Sequence, residues 1–492
     1  MKSFENDVLK YLSKLEELTN DFLGIDIKYV ASKNKRGAVD VKTETRLPLK
    51  APGLTEELTS KILGAISTEM KRAVNVKGEL DYNLFRTLTE DISLSLVFST
   101  YFRSRTQQKY NIQKFADSIK EIGSKTYENQ PANIGVIFCP DAASIVELKQ
   151  CDLEYIELAK KRTVHEFFLS EKPFLKLIDS QSLMIVIDKK FEVFAIIRKK
   201  SGKTSLCDIF ENMYNQCTIN DVKMKVLKSF VEETSINKGK IPPDSPQYEV
   251  YTFIEEALTK RINTIPSKVY PKFIYIAVTD KKVNYFTSNK FIISHQEGKW
   301  KIRQYHLLTA CIMRFIFVNM LHYLVKIKLS DFEVLMNSIT DGVTKLTSII
   351  KGISSSHNSS IFIMLANELL TSELSITQTR KLMETPLFNS NNVERNFIKV
   401  AQNGGNSLNI LNIDKYLMNS IATVDGAVVL DSNLNILSYG EIVNVPKEKK
   451  YPDTFGSGTK ATRATSEHGI AIKISEDGDI KLFQNEKLLL QV

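Results

Sequence analysis

Three short motifs near the C-terminal end of the sequence carry residues suited to binding a phosphate group. Gly456-Ser457-Gly458-Thr459-Lys460 combines glycines with a lysine at the start of a predicted helix, and Arg463 follows one turn later. Glycines beside a helix start let backbone N–H groups approach an anion closely, and Lys and Arg add positive charge. Asp425-Gly426-Ala427 and Ser475-Glu476 stand before and after this segment, each beside an apolar run. The pattern predicts an anion-binding pocket.

The apolar runs around these motifs predict one mixed β-sheet flanked by helices. Val424–Leu430, Ile470–Ile474 and Ile480–Phe483 are largely apolar along their length, as expected for strands that are covered on both faces. Ile436–Tyr439 follows a segment rich in turn formers and can return as a further strand. We expect the first three runs to be neighbouring strands.

The order of these motifs resembles the DisA-type diadenylate cyclase family, whose domain is called the DAC domain. In that family the Asp of a D-G-A motif holds the catalytic metal, a G-T-R-H-R motif grips triphosphate, and a strand ending in S-E closes the site. Asp425-Gly426-Ala427, Gly458-Thr459 and Ser475-Glu476 match these motifs. Lys460-Ala461-Thr462 stands where the family has Arg-His-Arg. The resemblance implies a DAC-like domain at the C-terminal end.

Two functional hypotheses follow from the resemblance, and a third stands beside them. The altered Arg-His-Arg positions favour a degenerate, DACNV-like sensor that binds a nucleotide or cyclic nucleotide, as a regulatory protein in a bacterial antiviral defence or conflict system. The alternative is an active diadenylate cyclase, a nucleotidyltransferase that joins two ATP molecules into cyclic di-AMP with a divalent metal. A structural scaffold with an empty pocket is the third hypothesis.

Both nucleotide hypotheses imply the same site. Asp425 and Glu476 would hold Mg²⁺ or Mn²⁺, and Asp425 would be catalytic in an active enzyme. Lys460 and Arg463 would grip phosphates, although a lysine cannot reproduce the bidentate contact of an arginine. The predicted nucleotide-binding residues are Asp425, Gly426, Ala427, Gly458, Thr459, Lys460, Arg463, Ser475 and Glu476.

Composition places the chain among folded proteins of more than one domain. Its 492 residues exceed one ordinary core, and the apolar and charged fractions of 43% and 25% are those of a globular protein. The net charge of +9 is spread along the chain with acids between the basic residues. It gives mild support for an anionic partner, a solvated surface explains it equally well, and it gives no clear sign of nucleic acid. The five cysteines form no C-x-x-C pair, which fits a reducing cytoplasm.

The expected partner is therefore a nucleotide or cyclic (di)nucleotide, and a homo-oligomer stays open. The N-terminus carries acids where a signal peptide needs an apolar core. The segment His306–Val325 is apolar but contains Arg314, Asn319 and His322, so we expect a buried helix there rather than a membrane span. These features predict a cytoplasmic protein.

The fold class predicted for the whole chain is α/β, with mixed α+β character. We expect a mainly helical region over 1–130, an α/β subdomain over 131–234, an antiparallel meander over 248–305 and the DAC-like domain over 306–492. Ser235–Gln247, with three prolines and a glycine, is the predicted linker. Asp141–Phe168 is predicted to be helical after a short buried strand. No clear internal repeat is visible.

Overall fold

A computed structural model describes residues 2–25, 27–33, 39–45, 64, 82–102, 106–128, 130–170, 173–200, 202, 204–266, 269–279, 281–288, 291–324, 329–366, 408–446, 448–449, 451–452 and 455–492. The helices in these ranges are α1 (Lys2–Leu23), α2 (Tyr82–Phe98), α3 (Thr106–Gly123), α4 (Ala142–Gln150), α5 (Val164–Ser170), α6 (Phe174–Leu177), α7 (Leu206–Lys238), α8 (Pro246–Thr264), α9 (Tyr305–Leu324), α10 (Leu329–Ser355), α11 (Lys415–Ala422) and α12 (Ser457–Thr465).

The strands are β1 (Ile27–Lys33), β2 (Val39–Thr45), β3 (Thr126–Tyr127), β4 (Gln130–Pro131), β5 (Ile134–Phe138), β6 (Leu153–Thr163), β7 (Leu183–Ile187), β8 (Glu192–Lys199), β9 (Ile274–Thr279), β10 (Lys282–Phe286), β11 (Ile292–Gln296), β12 (Lys299–Arg303), β13 (Ser360–Leu365), β14 (Ala427–Leu430), β15 (Ile436–Glu441), β16 (Gly469–Ile474), β17 (Ile480–Gln484) and β18 (Lys487–Gln491). Helices and strands alternate along the chain, which confirms the mixed α/β class.

The larger sheet has eight strands in the order β12-β11-β10-β9-β5-β7-β8-β6. β5 and β7 are parallel, and the other neighbours are antiparallel. The central strand β5 is buried at every position because helices cover both of its faces. The predicted meander is present as β9–β12. The predicted domain boundaries stay predictions, and strands from 131–234 and 248–305 lie side by side in this sheet.

The helix predicted over Asp141–Phe168 is wrong in its middle. The chain forms α4, then the edge strand β6, and then the short helix α5. Asp141 caps α4 by accepting a hydrogen bond from the backbone N–H of Ser144 at 2.9 Å. β6 is rich in Lys and Glu and pairs only with β8, so one of its edges faces solvent. Natural sheets often carry charged side chains on such an edge, which prevents it from pairing with another chain. In the sequence, these charged residues resemble the solvent-exposed face of a helix.

The C-terminal sheet has six strands in the order β15-β14-β13-β16-β17-β18. The three runs predicted to be strands lie in this one sheet, and β16 and β17 are neighbours. β14 and β16, however, are separated by β13, so the prediction of direct adjacency was wrong for that pair. β13 is parallel to β14 and antiparallel to β16, and its apolar side chains fill the space between them.

The two sheets repeat one topology. Read from a hairpin edge, the larger sheet contains β8-β7-β5-β9-β10-β11 and the C-terminal sheet is β15-β14-β13-β16-β17-β18. In each set, the strand that comes first along the chain is parallel to the strand of the set that comes next: β5 to β7, and β13 to β14. Every other neighbouring pair in the two sets is antiparallel. A helix pair precedes each set, α2–α3 in one and α9–α10 in the other.

The two sheets are joined by a buried ion cluster. Asp479 accepts hydrogen bonds from Lys301 at 3.0 Å and from Arg303 at 3.1 Å, and Lys301 also pairs with Asp21 at 2.9 Å. Burial works to raise the pKa of Asp479, but the charges of Lys301 and Arg303 outweigh it, so that this pKa is lowered. The cluster therefore links β12 of one sheet to the start of β17 in the other.

Helix α1 contacts both sheets at its C-terminal end. The side chain of Gln304 donates a hydrogen bond to the carbonyl of Leu23, just after β12. The N–H of Gln491 in β18 donates to the carbonyl of Gly24 at 3.0 Å, and Ile25 forms a bridge with Leu490. In the described part of the chain, no helix is both long and apolar enough to cross a membrane. The segment predicted as a buried helix corresponds to α9.

Candidate functional site at the start of α12

Helix α12 begins without a side-chain cap. Its N-cap residue is Gly456, which has no side chain to accept a hydrogen bond from the first turn. Thr459 and Lys460 donate their N–H groups to the carbonyl of Gly456 at 3.0 and 3.1 Å. Helix geometry leaves the N–H groups of Ser457 and Gly458 for an acceptor outside the helix. Together with the helix dipole, these groups favour a bound anion.

Lys473 lies beside this helix start and was missed by the sequence analysis. Its Nζ donates a hydrogen bond to Oγ1 of Thr459 at 2.9 Å. A β-carbon placed on Gly458 would lie 3.5 Å from Cε of Lys473. Burial lowers the pKa of Lys473, nearby Lys481 lowers it further, and Asp477 opposes this shift. In the sequence, Lys473 stands out as a single charged residue inside the apolar run of β16.

The D-G-A motif requires its glycine. Gly426 has φ +111°, and a β-carbon there would lie 2.5 Å from the carbonyl carbon of Gly440 in β15. A side chain at this position would therefore be strained and would collide with the neighbouring backbone. Ala427 is buried and opens β14. Asp425, two residues earlier, is exposed at the end of the sheet.

The strand registers bring the three motifs to one end of the C-terminal sheet. Ala427 pairs with Ile361 in β13, and Ile361 pairs with Lys473 in β16. A β-carbon on Gly458 would lie 3.7 Å from Cδ1 of Ile361, so the helix start lies above this row. Asp425 precedes β14, and the S-E motif follows β16, at the same end. Because only β13 lies between β14 and β16, the D-G-A and S-E motifs are about two strand spacings apart, roughly 10 Å.

Ser475 and Glu476 belong to a tight turn between β16 and β17. The N–H of Gly478 donates to the carbonyl of Ser475 at 2.9 Å, and Gly478 adopts φ +82°. The hydroxyl of Ser354 at the end of α10 donates to the carbonyl of Gly478 at 2.6 Å. His357 lies 3.0 Å from the carbonyl of Glu476. The backbone of this turn is therefore fixed, and the Glu476 side chain is exposed.

Arg463 is held by contacts with Glu486, Phe455 and Tyr451. Its Nε donates to the carbonyl of Glu486 at 2.9 Å, and its guanidinium lies 5.3 Å from the ring centre of Phe455 and 5.8 Å from that of Tyr451. Six helix positions separate it from Ser457, which is a rotation of about 240° at 100° per residue. Lys460 is nearer to the helix start and has no ion-pair partner among the described residues.

A divalent metal would have two carboxylates at this end of the sheet, Asp425 and Glu476. Mg²⁺ is usually bound by one or two carboxylates together with substrate phosphates, so these residues fit a metal that arrives with a nucleotide. Within the described ranges, no group of three His, Cys, Asp or Glu side chains is placed to hold a metal. Asp425 and Glu476 would hold the ion, which would neutralise phosphate charge.

Comparisons with known proteins gave weak structural neighbours. No family model matches the chain, and no curated protein matches it. One solved structure is a double mutant of DacA from Staphylococcus aureus, at 15% identity, 33% of this chain, 89% of that chain and a TM-score of 0.21. Another is a hypothetical membrane spanning protein from Bacillus cereus, at 14% identity, 38% of this chain, 94% of that chain and a TM-score of 0.22.

Proposed function

We propose that the C-terminal sheet and α12 bind a phosphate-bearing nucleotide and act as a degenerate DAC-like sensor. The observation that carries this proposal is the convergence of three motifs. D-G-A, G-S-G-T-K and S-E belong to separate segments between Asp425 and Glu476, and strand register and helix packing bring them to one end of the sheet. A role in a bacterial antiviral or conflict system belongs to the same proposal and rests on the resemblance.

The phosphates would contact the start of α12. The N–H groups of Ser457 and Gly458 would donate to phosphate oxygens, and Lys473 would supply a positive charge from the floor of the pocket. Lys460 would add a second charge from the helix. Arg463 has a structural role instead, because its guanidinium packs on two aromatic rings and bonds to Glu486.

The residues that replace Arg-His-Arg favour binding over catalysis. Lys460 keeps one charge, and Ala461 has no donor. Thr462 is buried, and its hydroxyl donates to the carbonyl of Gly458 at 2.6 Å, inside its own helix. Two of the three positions therefore offer nothing to a transferring phosphoryl group. Enzymes that transfer such groups depend above all on electrostatic stabilisation of the developing negative charge.

Calorimetry against a panel of nucleotides and cyclic dinucleotides tests the proposal. We expect at least one ligand to bind the wild type, and binding to weaken by about tenfold or more in Lys473→Met and in Lys460→Ala, since each loses a charge-assisted hydrogen bond. Lys487→Ala is the matched control, because Lys487 is exposed on β18. Equal affinity in all four proteins would show that the start of α12 is not the binding site.

A further inference from the structure

A small cavity lies beside the larger sheet, away from α12. Its volume is about 30 Å³, which is room for about two water molecules. Helix α7, the strands β10–β12 and the helices α9 and α10 form its walls. The side chains that matter here are Asn215, Phe286, Arg303, Tyr305 and Lys351. Among the described residues that line this cavity, none is acidic.

Lys351 brings a positive charge into this cavity without a carboxylate beside it. Its Nζ donates to Oδ1 of Asn215 at 3.3 Å and lies 4.5 Å from the ring centre of Tyr305. In the described part of the chain, no carboxylate lies within 4.0 Å of this amine. An ammonium group has three N–H donors, and the protein supplies one acceptor. Burial lowers the pKa of Lys351 to about 8, and the charge of Glu211 opposes this shift. At neutral pH the amine is therefore mostly protonated.

Arg303 is the second basic group in the cavity wall. Only 4% of it is exposed, and its Nη1 bonds to Asp479, which also neutralises Lys301. Asp21 also pairs with Lys301 at 2.9 Å, so Asp479 serves as the counter-ion of Arg303. A buried charge is costly unless it is paired. Lys351, whose amine contacts Asn215 and the ring of Tyr305, is therefore the basic group in this cavity wall that favours a small anion.

We propose that this cavity is a binding site for a small oxyanion, namely the carboxylate of a small metabolite. Two carboxylate oxygens match the volume of about two waters, and Lys351 would donate to them directly. The ring of Phe286 lines the same cavity and offers an apolar contact to the carbon next to the carboxylate. This site is separate from the start of α12 and shares no residue with it.

Thermal unfolding in sodium acetate, compared with sodium chloride at equal ionic strength, tests the site. A ligand that binds only the folded state raises the melting temperature with concentration, which yields an apparent Kd. We expect acetate to stabilise the wild type, and the apparent Kd to weaken by about tenfold or more in Lys351→Met. Lys228→Met removes an exposed lysine from α7 and should keep the wild-type response.

Two further variants keep the test decisive. Asn215→Asp places a carboxylate beside Lys351, so it should raise the melting temperature without acetate and abolish the acetate effect. Lys473→Met, in the α12 site, should leave the acetate effect unchanged. No acetate stabilisation of the wild type would overturn the proposal. An undiminished response in both Lys351→Met and Asn215→Asp would also overturn it, as would loss of the response in Lys473→Met.

Discussion

The two sheets share a strand order but differ at one helix. This helix follows β5, β7 and β8 in the larger sheet, and β13, β14 and β15 in the C-terminal sheet. In the larger sheet this helix is α7, whose N-cap Ser205 accepts a hydrogen bond from the N–H of Asp208 at 3.2 Å. Asp208 also places a carboxylate in the first turn. In the C-terminal sheet the helix is α12, which begins at the uncapped Gly456. The start of α7 is capped by its own N-cap side chain, whereas the start of α12 has no side-chain cap.

The strand after each helix differs in the same sense. Ile274 to Val278 of β9 are apolar and buried, whereas β16 carries Lys473 beside the helix start. Strand order alone therefore does not distinguish the two helix starts. The proposed anion site would depend on the missing cap and on one lysine, which are differences of single residues on a shared framework.

The largest expected effect concerns catalysis by the C-terminal sheet. We expect no appreciable conversion of ATP to cyclic di-AMP with Mg²⁺ or Mn²⁺, because losing one donor to a developing negative charge typically costs about 10²–10³ in rate. Here Ala461 and Thr462 both fail to supply one. Chromatography of an overnight reaction measures the product. A cyclic dinucleotide peak that disappears in Asp425→Asn would establish the cyclase instead of the sensor.

The next effect concerns the contact between the sheets. Asp479→Asn should lower the free energy of unfolding by roughly 3–5 kcal/mol, because it leaves the buried Arg303 without its counter-ion. Denaturant unfolding measures this, with Asp477→Asn as the control, since Asp477 is exposed in the same turn. The lowered pKa of Asp479 also implies that its stabilisation is present above pH 3.8 and is lost as the pH falls through the folded-state pKa. Equal stability of the two variants would contradict the role of this cluster.

Exchanging the caps tests the comparison itself. Gly456 has open space around its Cα, so Gly456→Asp should fit and should cap α12 with its own carboxylate. We expect a gain of only a few tenths of a kcal/mol in stability, because glycine is itself a tolerated N-cap residue. Nucleotide binding should weaken, because the new carboxylate competes with phosphate. Ser205→Ala should cost α7 about 1 kcal/mol and leave nucleotide affinity unchanged. If both variants bind nucleotide like the wild type, the difference in capping has no functional meaning.

The smallest expected effect is a pH dependence. The pKa of Lys351 in the folded protein is about 8, below its ordinary value of 10.5. Between these values the unfolded chain binds more protons, so stability should rise with pH from about 8 to 10.5. The half-buried Lys282, with a pKa also lowered to about 8, contributes in the same direction. Melting temperatures across this range should rise less steeply in Lys351→Met than in Lys228→Met, and parallel curves would contradict the shift.

Local patterns in the sequence predicted much of the fold. Continuous apolar runs identified the buried strands, and turn residues identified the meander of β9–β12. Strand β6 was missed because its charged residues imitate a helix surface. The repeated topology was invisible because it resides in long-range pairing, which residue identity does not record. At the candidate site, motif order located the helix start, but the contact between Lys473 and Thr459 depends on sheet packing, and so do the contacts of Arg463 with Glu486, Tyr451 and Phe455.

Helix α1 has a consequence for how the molecule unfolds. Its C-terminal end is bonded to the segment after β12 through Gln304 and to β18 through Gln491, so neither sheet can lose its edge without disturbing the same few residues. Tandem units of one topology would ordinarily melt in separate steps. Here both sheets are bonded to the C-terminal end of α1, so opening one sheet should also destabilise the edge of the other. Amide protons in β12 and β18 should therefore exchange with solvent together. We therefore expect the two sheets to unfold as one cooperative unit.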